Sequence, residues 1–222
     1  DETLNENLTL TNQSSLNSFV ESELNNFSNE ISATKKFGSK GAFLRFAMDN
    51  RITKNESDDF INSISEVFGT SPETIVRSQF TDDSRKSNDF STDVRYKLPI
   101  KANELFINFE YEYQYNKDEN RKSTYDFDGV ANTYNTFNED LSTDFEYTDE
   151  KSTPGVQLSY KKEKFSARFG WAYIFRTLTN KDGLRPQFDI ERDFNAVEIK
   201  SNFRYQFSKK ASFYASYRLS NR

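Results

Sequence analysis

Between Asn103 and Asn116 the chain alternates without a break: Leu105, Ile107, Phe109, Tyr111, Tyr113 and Tyr115 stand against Phe106, Asn108, Glu110, Glu112, Gln114 and Asn116. Successive side chains of a strand point to opposite faces, so the pattern predicts a strand with one apolar and one wet face. Its length, about ten residues, suits a tilted strand crossing a bilayer. The pattern recurs from 25 to 37, where Phe27, Ile31, Ala33 and Phe37 share a face, and from 42 to 51 with Leu44, Phe46 and Met48. Gly38-Ser39-Lys40-Gly41 between them predicts a tight hairpin.

A polar stretch from about 52 to 88 reads as a long loop with some local structure, either strand extension or a short helix. Alternation resumes with Phe90, Thr92, Val94, Tyr96 and Leu98, turns at 99–103 and enters the segment described first. A second loop is expected at 117–138. Leu141, Thr143, Phe145 and Tyr147 then alternate, and beyond Pro154-Gly155 the apolar set moves to Val156, Leu158 and Tyr160. That shift from odd to even positions predicts one strand carrying a β-bulge at the Pro-Gly. Phe165 to Phe175, a third loop at about 179–193, Val197 to Phe207 and Phe213 to Leu219 complete the pattern.

The reading is all-β: about eight long strands in four hairpins, with short and long connections alternating, as in an antiparallel transmembrane β-barrel with periplasmic turns and extracellular loops. Residues 1–24 form a polar N-terminal extension or loop, and 25–222 belong to one barrel domain. Both ends of such an arrangement fall on the outer side, so the chain reads as an interior slice of a larger barrel whose edge strands need partners.

Composition supports the picture from another side. Only 34% of residues are hydrophobic and the mean hydropathy is -0.89, which by itself suggests disorder, yet the chain holds 22 Phe, 12 Tyr and one Trp. A barrel reconciles the two, because half of each strand faces a polar lumen and aromatic residues gather toward lipid. No apolar run approaches the roughly 18 residues of a membrane helix. No Cys or His is present, so thiolate metal sites, disulfides and the commonest general base are excluded. The net charge of -5 is spread along the chain and does not form a nucleic-acid stripe.

The alternation assigns two sets of residues. Arg95, Lys97, Glu110, Glu112, Arg168, Arg176, Glu198, Lys200, Arg204 and Arg218 face the lumen, where pairing of opposite charges across strands is the expected role. Leu105, Ile107, Phe109, Tyr111, Tyr113, Phe169, Trp171, Tyr173, Phe203 and Tyr205 face lipid. Acidic loop clusters, Asp126 and Asp128 with Gly129, or Asp58 with Asp59, are weighed as Ca²⁺ ligands and read as solvated loop charge. Asn7-Leu8-Thr9 and Asn55-Glu56-Ser57 match the glycosylation triplet and receive no role. No catalytic residue, metal site or cofactor is assigned, and an enzyme is not expected.

Three stretches together resemble the TonB-dependent-receptor-like outer-membrane β-barrel proteins of Bacteroidota. The first runs from Tyr96-Lys97-Leu98-Pro99 through an aromatic strand to Tyr125-Asp126-Phe127-Asp128. In the second, Leu158-Ser159-Tyr160-Lys161 and a lysine turn precede Phe165-Ser166-Ala167-Arg168-Phe169-Gly170-Trp171-Ala172-Tyr173. The third joins Phe207-Ser208-Lys209-Lys210 to Tyr217-Arg218-Leu219-Ser220. The resemblance implies localisation in the cell outer membrane among lipid and lipopolysaccharide. It also implies a plug, the remainder of a larger barrel, contact with the TonB complex or other outer-membrane subunits, and substrate uptake or scaffolding of a surface complex. Two alternatives stay open: a plug-less structural or passive-pore barrel, and a secreted ligand-binding β-sandwich.

Overall fold

Phe, Tyr, Val and Ile alternating with polar residues give each long segment a pleated, half-apolar surface, and the chain is extended almost throughout. The computed structural model describes residues 2–4, 10–69 and 71–220. Its strands are β1 (Glu2–Leu4), β2 (Leu10–Phe37), β3 (Ala42–Val67), β4 (Glu73–Lys101), β5 (Leu105–Asp128), β6 (Thr133–Phe137), β7 (Thr143–Lys162), β8 (Phe165–Asp182), β9 (Ile190–Gln206) and β10 (Ser212–Leu219). They form one antiparallel sheet in the order β1-β2-β3-β4-β5-β7-β8-β9-β10, with β6 paired to β5. Two short 3₁₀ turns, Glu139–Leu141 and Pro186–Phe188, are the helical pieces among the described residues, and no helix there is long and apolar enough to cross a membrane.

The all-β, antiparallel expectation holds, whereas the strand count and the loops differ from the reading above. The sheet has 10 strands and is open: among the described residues β10 pairs only with β9, and β2 beyond Gln13 pairs only with β3. The expected loop at 52–88 is two strand extensions, β3 running on to Val67 and β4 starting at Glu73. The expected loop at 117–138 is mostly the end of β5 plus β6, and that at 179–193 shrinks to the connection between Asp182 and Ile190. Residues 10–24, expected as extension or loop, are the first half of β2. The physical reason is the same in each case: backbone pairing needs no alternation of side chains, and it continues where polar residues occupy both faces. At about 3.3 Å per residue the 29 residues of β4 reach roughly 95 Å, three times a bilayer's hydrocarbon core.

The turns at the other end are short. Gly38 and Gly41 take positive φ of 60° and 88° in the β2–β3 hairpin, Asn103 takes 61° between β4 and β5, and Glu163 takes 45° between β7 and β8. We call this the near end and the opposite one the far end. Strand length, rather than loop length, distinguishes them: β2 to β5 run 24 to 29 residues, while β7 to β9 run 20, 18 and 17.

The bulge expected at Pro154-Gly155 is absent. Pairing of β7 with β5 keeps one register from Leu105 opposite Tyr160 to Lys122 opposite Thr143. The two apolar sets of β7 therefore lie on opposite faces, and Phe145 and Tyr147 share a face with Asn120 and Asp118 of β5. Proline makes itself felt on the other side, where pairing with β8 lapses at Thr153 and Pro154 and resumes at Gly155 opposite Ala172.

Candidate functional site: the polar face of the sheet

Directly opposed residues of an antiparallel pair point to the same face, so the register carries face identity across the whole sheet. Starting from Tyr111, the chain of partners reads Val94, Phe46 and Ala33 on one side and Pro154 on the other. One step nearer the turns, Phe109 leads to Tyr96, Leu44, Val156, Trp171, Ile199 and Leu219. Every residue expected to face lipid, from Leu105 to Tyr113, Phe169 to Tyr173, Phe203 and Tyr205, sits on this apolar face. Every residue expected to face a lumen sits on the other. Together the apolar rows make a band near the short turns, from Leu105 to Tyr115 on β5, and large side chains in it stay open: Phe169 is 54% exposed and Trp171 45%.

Among the described residues all seven buried side chains are away from that band: Gln79, Thr81, Asn108, Thr124, Ile174 and Asp182 on the polar face, and Ser142 in the segment folded over it. Within a single layer such side chains are covered by neighbours on the same face: Asn108, at 8% exposure, donates to Gln157 at 3.2 Å, and Ile174, at 6%, stands opposite Ala196. A β-sandwich instead buries its apolar face against a second sheet.

The polar face is laced with cross-strand charge. Arg95 Nε lies 3.0 Å from Glu110 Oε1 and its Nη2 lies 3.8 Å from Asp93. Arg176 forks onto Asp149, donating at 2.9 and 2.7 Å, and Lys200 pairs with Glu198 at 3.1 Å. Lys97 holds its ammonium 3.9 Å from the centre of the Phe106 ring. Glu112 accepts from Gln114. Arg168, Arg204 and Arg218 have no ion-pair partner among the described residues.

A concavity of about 750 Å³ opens on this face, lined by Ile174, Leu178, Phe194 and Ala196 together with Lys151, Asp149, Arg176, Glu198 and Arg218. Sequence reasoning selected three of these, Arg176, Glu198 and Arg218, and missed the rest. The apolar ones were invisible because Tyr173-Ile174-Phe175 reads as one apolar run, in which the face of Ile174 is set only by counting from Trp171.

The weighed Ca²⁺ ligands separate. Asp58 and Asp59 are successive in β3 and point to opposite faces. Asp126 accepts from Gln79 at 2.7 Å and Asn138 at 2.8 Å, tying the far end of β5 to its neighbours. Asp128 accepts from the backbone N–H of Ala131 and of Val130, and these bonds hold its carboxyl below the usual carboxylate range. Asn55-Glu56-Ser57 is a strand segment within β3, and Asn7-Leu8-Thr9 lies outside the described residues.

Beyond the band the two faces become alike. Lys117 bridges Glu119 at 2.7 Å and Glu146 at 3.0 Å, which raises its own pKa and lowers that of Glu119. Past these rows an aromatic row crosses the apolar side at the far end: Phe19, Phe60, Phe80, Tyr125 and Phe137 are successive partners. Phe60 and Phe80 stand 4.8 Å apart, and Tyr134 packs on both at 5.9 and 6.3 Å.

In comparisons with known proteins, no family model matches the chain and no curated protein matches it.

Proposed function

We propose that this chain is part of the wall of a large outer-membrane β-barrel of the TonB-dependent transporter kind, serving substrate uptake or scaffolding of a surface complex. The observation that carries the reading is the contrast between the two faces of the band: charged residues hold one, while Phe, Tyr, Trp and Leu, about 11 residues high on β5, stay open on the other. Tilted by about 45°, such a band is near the 25 Å apolar height of outer-membrane barrels. The open edges of β2 and β10 support further strands on both sides, since unpaired backbone groups do not persist in lipid. The transporter class rests on the sequence resemblance.

The absence of cysteine gives a clean background for the test. Single cysteines are placed in the full-length protein at Phe109, Trp171 and Phe203, and at Glu110, Ala172 and Arg204, and are treated in outer-membrane vesicles with a water-soluble maleimide. Labelling of the second set with protection of the first is expected. Equal labelling of both would remove the barrel reading. The intact mass of the native polypeptide tests the larger assembly: several times 26.0 kDa is expected, and a mature chain of 26.0 kDa would leave a small barrel instead.

A further inference from the structure

Around Ile174 the polar face departs from its own pattern. Ile174 is the one buried apolar side chain among the described residues, 6% exposed, and it lies on the face that carries the charged rows. Leu178 and Phe194 stand beside it on the same face, and Phe194, at 46%, remains open to the concavity. A small side chain deepens the floor, Ala196 standing opposite Ile174. A wet wall needs no such apolar floor, and an apolar patch facing water costs about 25 cal/mol per Å².

The charges around that floor do not all cancel. Arg176 is held by Asp149 and Glu198 by Lys200, leaving Lys151 on β7, in the row of Arg176 and Phe194, as the cation beside the floor without an ion-pair partner among the described residues. We propose that this concavity binds a small amphipathic organic anion, its apolar body on Ile174, Leu178 and Phe194 and its anionic group on Lys151. The volume, about 750 Å³, is within the range of small-molecule sites. This rests on the reading that the polar face lines a barrel interior, and it names the chemistry that interior recognises.

The test uses the full-length protein in lipid nanodiscs and equilibrium dialysis of 2-naphthoate, with uncharged 2-naphthamide as the comparison. Saturable binding of naphthoate is expected, with naphthamide weaker by roughly tenfold or more. Lys151→Gln should weaken naphthoate by a similar factor and leave naphthamide unchanged, whereas Phe194→Ala should weaken both. Equal affinity for the two probes, or no saturable naphthoate binding, overturns the proposal, as does wild-type naphthoate affinity in the Lys151→Gln variant. Each preparation is first labelled by the cysteine pattern above. If that pattern holds and binding fails, only this inference falls; if the pattern itself is lost in the parent protein, the barrel reading falls and takes the inference with it.

Discussion

Near the short turns the sheet has two different faces, and beyond Tyr115 it has two similar ones. In the near region Tyr111, Val94, Phe46 and Pro154 line one side and Glu112, Asp93 and Thr153 the other. In the far region Lys117, Lys86, Glu56 and Glu146 occupy the side that was apolar, while Asp118, Arg85 and Asn120 occupy the other. The backbone pairing is the same in both. What changes is the side-chain chemistry of one face, which passes from apolar to charged while the ladder of backbone pairing runs on unchanged. The far region has little apolar burial to hold it, and its side-chain cohesion comes from ion pairs, from the Asp126 hydrogen bonds and from one aromatic row.

The largest effect should come from putting a charge into the band. Phe169→Arg is expected to destabilise the protein in lipid by about 2–4 kcal/mol, measured by denaturant unfolding in vesicles. Ser84→Arg, on the same side in the far region, should change stability by less than about 0.5 kcal/mol. Similar costs at both positions would erase the distinction between the regions.

A smaller and local effect is expected for Phe80→Ala, which removes the ring between Phe60 and Tyr125, at 4.8 and 6.4 Å. A half-buried aromatic truncation of this kind costs about 2 kcal/mol. Faster amide exchange in β3 and β4 beyond Lys54 and Lys86 should accompany unchanged protection in the band. Uniform loss of protection would show that the two regions unfold as one unit.

The smallest effect is that of pH. The carboxyls of Glu119 and Asp128 lie below their ordinary values, Glu119 through Lys117 and Asp128 through the N–H groups of Ala131 and Val130. A depressed carboxylate contributes stability that is present above its unfolded pKa and is lost as pH falls through its folded one. Intrinsically corrected amide exchange at the far ends of β5 and β7 should therefore quicken below the ordinary carboxylate range, while the band stays protected. Lys117, whose pKa is raised, works in the opposite sense: its contribution is present below the ordinary lysine value and is lost as pH rises through the higher folded one. Acid exchange that is equal in both regions would count against this assignment.

The same contrast explains what could be read from the sequence. Strands in the band were legible because one face is apolar and the other polar, which gives a period of two, as in Leu105 to Tyr115. The far halves of β3 and β4 were not, since Asn55-Glu56-Ser57-Asp58-Asp59 has no periodicity and resembles a loop in every local respect. Residues of one unbroken phase do share a face of the sheet, whereas at Phe145 and Tyr147 an apolar pair on the polar face was taken for a shift of register. The apolar patch escaped for a related reason: Ile174 lies between Tyr173 and Phe175, and its significance depends on which neighbours the register brings beside it.

Pro154 gives the wall a crease. Where β7 and β8 fail to pair at Thr153 and Pro154, Thr153 Oγ1 is enclosed without a hydrogen-bond partner, and the break lies against Tyr173 and Ile174. A hydrogen-bonded sheet resists bending through its cross-links, and the missing ones leave a soft spot between ladders that pair from Phe145 to Ser152 and from Gly155 to Lys162. Backbone adjustment in β8 would start at Tyr173 and Ile174, beside the concavity, without breaking any other rung of the ladder.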